Sequence, residues 1–218
     1  MTADPFNDIP QPANPLSPSK PQPLKHQKLL VGEGDEEVYF FGALLKHLNI
    51  ADVQIEQCKG KTKLHNYILT LTKRSDFANL VAIAITRDAD DDAMAAFQSV
   101  VTALDNAGLA KPQTSGSFID GKPKIGVFIL PDCQERGMLE DLCLASAATD
   151  IAMPCVDEFF RCVENNGRKP NNMAKARAHA WLASHVEPDK RLGEAAQKGY
   201  WDWDSPVFDP LKHFLHQL

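Results

Sequence analysis

Three short stretches of the chain are apolar at almost every position: KLLVG at 28–32, LVAIAIT at 80–86 and KIGVFIL at 124–130. Apolar runs of this length without polar alternation predict strands covered on both faces, as in a parallel sheet with helices above and below. Elsewhere the apolar spacing changes to three and four. A helix is predicted over 35–48 with Val38, Phe41, Leu44, Leu45 and Leu48 on one face, followed by a strand in DVQIEQC at 52–58. KLHNYILTLT reads as a helix with Leu64, Ile68 and Leu71 inward. A further helix over 91–107 turns Met94, Phe97, Val101 and Leu104 inward and stops at Gly108. Beyond Pro131 helical patterns dominate, at Met138 to Ala148, Pro154 to Val163, Asn172 to His185 and near Leu211. The expected fold class is α/β, a mostly parallel sheet flanked by helices with a helical C-terminal part.

Composition narrows the organisation. Residues 1–24 carry seven prolines and almost no large apolar residue after Phe6, so they are expected to form an extended or disordered arm. Residues 25–218 then form one α/β domain, of which 152–218 is mainly a helical C-terminal extension. No stretch is long and apolar enough for a membrane span and no signal peptide is visible, so a cytoplasmic protein is expected. The five cysteines, Cys58, Cys133, Cys143, Cys155 and Cys162, form no C-x-x-C pair and read as buried thiols. Net charge is −6, so the molecule as a whole does not attract polyanions. Basic residues do cluster locally, at Lys59, Lys61 and Lys63, at Lys73 and Arg74, and at Arg168, Lys169, Lys175 and Arg177.

In open parallel sheets ligands gather beyond the carboxyl ends of the strands, and here those ends are acidic. The first strand runs into Gly32-Glu33-Gly34, with Asp35, Glu36 and Glu37 behind it; LVAIAIT runs into Arg87-Asp88-Ala89-Asp90-Asp91-Asp92. KIGVFIL runs into Pro131-Asp132, with Glu140 and Asp141 opening the next helix. A single acidic exit is an ordinary helix start, complementing the macrodipole. Carboxylates converging from three exits repel one another unless protons or cations neutralise them, and Mg²⁺ or Mn²⁺ is the natural partner for such oxygens. Asp88 and Asp90 are spaced to project to one side of an extended strand and share an ion. Asp132 is compatible with a site residue or with a simple turn.

Other motifs fail on detail. GEGDEE places Glu37 where a dinucleotide fingerprint needs its third glycine, and its carboxylates would repel a pyrophosphate. KGKT at 59–62 has Ile55 where a phosphate loop needs its first glycine. A receiver domain requires a lysine where this chain has Leu130-Pro131-Asp132. Trp181, Trp201 and Trp203 read as packing residues rather than base-stacking platforms, and His179 and His185 as ordinary histidines.

The ordered set LLVGEGDEEVYFF, ITRDADDD, GVFILPD and GMLEDL resembles the Toprim fold. With KARAHAWLAS, PDKRLGEAAQ and the terminal FLHQL it resembles a small family of free-standing Toprim-like proteins related to overcoming-lysogenisation-type nucleases, over about residues 28–218. The resemblance implies that Glu33 and the pair Asp88 and Asp90 bind Mg²⁺ or Mn²⁺, with Glu37 and Glu140 as further metal-binding acids and Lys175 as a catalytic charge at the phosphate. Glu33 is also a candidate general acid or base, and Lys61 and Lys63 are candidate substrate contacts. Gly32 departs from the apolar residue usual before the glutamate, which predicts an early strand end and a tilted Glu33. Chain length and the lack of a suitable tyrosine exclude a topoisomerase. The expected function is metal-dependent phosphodiester processing of DNA or RNA. The alternative is a non-catalytic nucleotide- or partner-binding module, and a homo-oligomer is compatible with either.

Overall fold

The three apolar runs become the three central strands. The computed structural model of the chain describes residues 23–218, so all but the end of the proline-rich arm lies outside the described residues. The strands are β1 (Lys28–Gly32), β2 (Val53–Gln57), β3 (Ala82–Asp88), β4 (Ser117–Ile119) and β5 (Lys124–Leu130). They form a sheet of order β2-β1-β3-β5-β4, parallel except for the antiparallel edge pair β4 and β5. Because β1, β3 and β5 are parallel neighbours, their carboxyl ends lie side by side: Val31 is level with Ile85, and Asp88 with Leu130. The arrangement is consistent with a Toprim-like α/β fold.

The central strands are apolar over most of their length because each face has its own helical layer. Leu29, Val31, Ile83, Ile85, Ile125, Val127 and Ile129 face α2 (Leu64–Leu71) and α3 (Ala93–Asn106). Leu30, Ala82, Ala84, Phe128 and Leu130 face α1 (Asp35–His47) and the C-terminal helices. These are α4 (Leu139–Ser146), α5 (Met153–Asn165), α6 (Met173–Leu182), α7 (Leu192–Gln197) and α8 (Asp209–Leu215). Burying each large apolar side chain contributes roughly 1.5–3 kcal/mol against the entropy of ordering it. At Gly126 of β5 a side chain is impossible without rearrangement, since an added Cβ would lie 2.5 Å from the Phe118 ring of β4.

Several expectations change. The sequence pattern missed β4 and α7. In α3 the buried face is Ala93, Ala96, Phe97, Val100, Ala103 and Leu104, while Met94 is 72% exposed and Val101 only half-buried. The alanines let the helix approach the isoleucines of β3 and β5, rotating it about one residue from the face that bulk alone suggests. Phe40, absent from the predicted face of α1, is fully buried against Trp203 and Phe208. Trp181 and Trp201 stack inside the core at 4.6 Å, as packing residues. Val53 to Gln57 is half-buried throughout because β2 is an edge strand.

The cysteines also divide. Cys58 and Cys143 are buried and Cys133 half-buried, but Cys155 and Cys162 are exposed on α5, so the reading of all five as buried thiols does not hold. Burial, then the nearby Glu33 charge, pushes the Cys58 thiol up to about 11, which leaves it unreactive at neutral pH. Native protein is therefore expected to release colour from a disulfide reagent rapidly at two thiols, with the remaining three reacting only on unfolding. Rapid reaction of a third thiol would contradict this packing.

Candidate functional site

The site is built where β1, β3 and the start of α4 meet. β1 runs through Gly32, which pairs with Gln57, so the strand does not end early. Gly32 is required for a different reason: an added Cβ there would lie 2.8 Å from Glu37 Cβ. The missing side chain makes room for Glu37, which is buried in the first turn of α1 and accepts a hydrogen bond at 2.9 Å from Gly34 N. That contact closes one half of a capping box and fixes the carboxylate at the strand exit.

Asp88 is the last residue of β3, and its Oδ1 accepts from Leu139 N at 3.0 Å, tying the strand end to the start of α4. Asp90 does not continue the strand. Its φ is +53°, and its backbone exchanges two 2.8 Å hydrogen bonds with Gly137, whose φ is +137°. The extended-strand premise therefore fails at Asp90, which lies beyond the end of β3 in a left-handed backbone conformation. Asp90 reaches Lys61 instead, with Nζ 2.6 Å from Oδ2. Lys63, in the same short turn, is exposed.

Glu33 Oε1 lies 3.7 Å from Arg87 Nε, and both atoms are buried without a hydrogen-bond partner. Arg87 also donates from Nη1 to Ala96 O at 3.2 Å, which anchors it to α3. Glu140, in the first turn of α4, stands 3.8 Å from Lys175 Nζ of α6. Four other acids of the strand exits have structural tasks. Asp35 accepts from Gln57 Nε2, Glu36 from Gly193 N at 2.8 Å, and Asp92 caps α3 through Ala95 N. Asp132 accepts from Gln134 N and Glu135 N, a simple turn.

The acids feel one another. Burial, and then the charges of Glu37, Glu33 and Glu140, push the Asp88 carboxyl well above the usual carboxylate range against the opposing Leu139 N–H. Glu33 is also raised, by burial foremost; Arg87 opposes this shift and Asp90 adds to it. Glu37 is raised by burial, its hydrogen bonds opposing, with Glu33 and Glu140 adding to the rise. Lys61 is raised by its hydrogen bond to Asp90.

Of the five acids named from the sequence, Glu33, Glu37 and Glu140 act by charge on Asp88, Asp90 acts on Glu33, and Lys175 stands beside Glu140. Sequence reasoning missed Arg87, although an arginine directly before Asp88 in a covered strand signals a buried counter-charge. Among the described residues no three His, Cys, Asp or Glu side chains stand close enough to enclose an ion as they are oriented. Lys61, Arg87, Lys175 and two backbone N–H groups hold the five apart. The donor set is nevertheless all carboxylate oxygen, the kind Mg²⁺ takes, and Glu33 Oε1 is buried without a hydrogen bond. The residues fit a hard divalent cation in their chemistry, and enclosing one requires them to turn toward it.

A family model described as a protein of unknown function (DUF3226) matches residues 27–218. A comparison with curated proteins gives no match. Two solved structures of the C-terminal region of the Xanthomonas campestris pv. campestris OLD protein, phased with mercury and with iodine, are similar in backbone. Their identities are 14% and 16%, each with a TM-score of 0.46, covering 88% of this chain and 96% of theirs. No helix among the described residues is long and apolar enough to cross a membrane.

Proposed function

Because the chain belongs to the DUF3226 family, whose description fixes no chemistry, we propose from its own site that it is a Toprim-type, Mg²⁺- or Mn²⁺-dependent phosphodiester-processing protein acting on nucleic acid. The observation that carries the reading is Asp88: a carboxylate at a covered strand end with three further acids in electrostatic range, an arrangement that costs stability unless something neutralises it. Glu33, Asp88 and Asp90 would hold the cation, with Glu37 and Glu140 as further ligands. Once bound, a hard divalent ion supplies charge neutralisation on phosphate oxygens and a more acidic attacking water. Glu33, raised in pKa and with Oε1 free of hydrogen bonds, is suited to hold or move a proton at that oxygen. Lys175 adds positive charge at the Glu140 side, where a phosphate entering past α6 would meet it. Lys61 and Lys63 flank the Asp90 side as contacts to the phosphate backbone.

A second reading is favoured by the Lys61–Asp90 and Arg87–Glu33 ion pairs, which neutralise two of the acids internally. It makes the protein a non-catalytic module that binds a nucleotide or partner. Incubation of plasmid and single-stranded DNA and RNA with the protein in Mg²⁺ or Mn²⁺ separates the two. The proposal expects cleavage that Glu33→Gln lowers by about 100-fold or more. Absence of cleavage of every substrate by wild type, with metal bound, would favour the module.

A further inference from the structure

A cavity of about 320 Å³ opens beside the carboxylates, between α1, α4, α6 and the start of α7. Its polar lining is Glu36, Glu140, Lys175, His179 and Arg191, and apolar side chains of α6 and α7 complete it. The volume is in the range of small-ligand sites, enough for a nucleotide fragment. Lys175 and His179 are four residues apart on α6 and so share a helix face. Arg191 precedes α7, and its charge acts on Glu36 across the cavity. The donor groups are only partly engaged. Lys175 is ion-paired with Glu140 at 3.8 Å but not hydrogen-bonded to it, and among the described residues neither the His179 ring nor the Arg191 guanidinium makes a hydrogen bond. Glu36 is already engaged by Gly193 N, and Glu140 faces the carboxylate group, which its charge reaches at Asp88 and Glu37. The donors that remain available come from Lys175, His179 and Arg191, and Glu140 both lines the cavity and belongs to the carboxylate group.

From this arrangement we infer that Lys175, His179 and Arg191 form a phosphate subsite that holds a second phosphate of the substrate, next to the one processed at the carboxylates. The inference rests on the proposed function for the identity of the chain carrying that phosphate, and on the cavity for its existence. A guanidinium and an imidazole supply planar donors suited to phosphate oxygens, and Lys175, between cavity and carboxylates, contacts whichever phosphate lies at the boundary.

The test is equilibrium binding of three probes in metal-free buffer, tetrathymidylate with a 5′-phosphate, the same oligonucleotide without it, and inorganic phosphate, with Mg²⁺ titrated separately into each protein. Wild type is compared with His179→Ala/Arg191→Ala and with Asp88→Asn/Asp90→Asn. The first variant is expected to bind the oligonucleotide roughly tenfold more weakly or worse while keeping wild-type Mg²⁺ binding, because both residues are exposed and outside the acid group. Equal binding of the two oligonucleotides assigns the subsite to an internal phosphodiester, and preference for the phosphorylated one assigns it to a terminal phosphate. Unchanged affinity in His179→Ala/Arg191→Ala, or no binding of any probe to wild type, overturns the inference. Undiminished Mg²⁺ binding by Asp88→Asn/Asp90→Asn, with oligonucleotide binding still dependent on Arg191 and His179, would overturn the metal reading and leave the subsite standing.

Discussion

Without metal, Asp88→Asn protein will be more stable than wild type at pH 7, by roughly 1–3 kcal/mol, and with Mg²⁺ or Mn²⁺ supplied it will cleave phosphodiesters about 100-fold more slowly or worse. The two effects share one cause. Asn keeps an oxygen to accept the Leu139 N–H and removes a charge that burial and the three acids Glu37, Glu33 and Glu140 all oppose. The pH dependence follows from the direction of the shift. The folded-state pKa of Asp88 lies above its unfolded value of about 3.9, so folded protein holds a proton that unfolded chain has released. That contribution to stability is complete below about pH 4 and is lost as pH rises through the folded-state pKa. The variant does not titrate there, so the difference between the two proteins opens over that window and persists at neutral pH. Denaturant melts of both proteins from pH 4 to 8 in chelator measure it. A variant less stable than wild type at pH 7 would mean the acids are not in conflict.

Gly193→Val is expected to cost about 3 kcal/mol, lowering the melting temperature by roughly 6–12 °C, through overpacking at a site with no room to relax. The first atom of the new side chain would lie 2.6 Å from Glu36 O and 2.7 Å from Tyr39 Cβ, so α7 must lift from α1. The backbone is the obstacle at Glu36, and no rotamer change relieves it. The same shift strains the Gly193 N–H bond to Glu36 and moves Arg191, so probe binding in the cleft should weaken together with stability. A variant melting within a degree of wild type would show that α7 does not pack as described.

What the sequence made legible follows from the range over which each feature is determined. β1, β3 and β5 are covered on both faces and so read as continuous apolar runs, and their parallel pairing places Glu33, Glu37, Asp88 and Glu140 at neighbouring exits. Features set by distant partners were not readable. Phe40 is buried because Trp203 and Phe208, more than 160 residues later, close over it. β4 has three residues, too few for a period, and is held by its pairing with β5. The spacing of Asp88 and Asp90 suggested two positions of one extended strand, but Asp90 lies beyond β3 and its backbone is bridged to Gly137, 47 residues later. Long side chains such as Lys61, Arg87 and Lys175 choose their carboxylates only in the folded chain, which is why the ion pairs that hold the acids apart had no signal in the pattern.

The central claim, that these acids form a cradle for a hard divalent cation, is tested most directly by calorimetric titration of Mg²⁺ and Mn²⁺ into wild type and into Asp88→Asn/Asp90→Asn. Saturable binding to wild type that is lost in the variant, with thermal stabilisation of wild type alone by excess metal, is the predicted result. Absence of specific binding to wild type, or equal binding to both proteins, would contradict it and leave Lys61, Arg87 and Lys175 as the counter-charges these acids meet among the described residues.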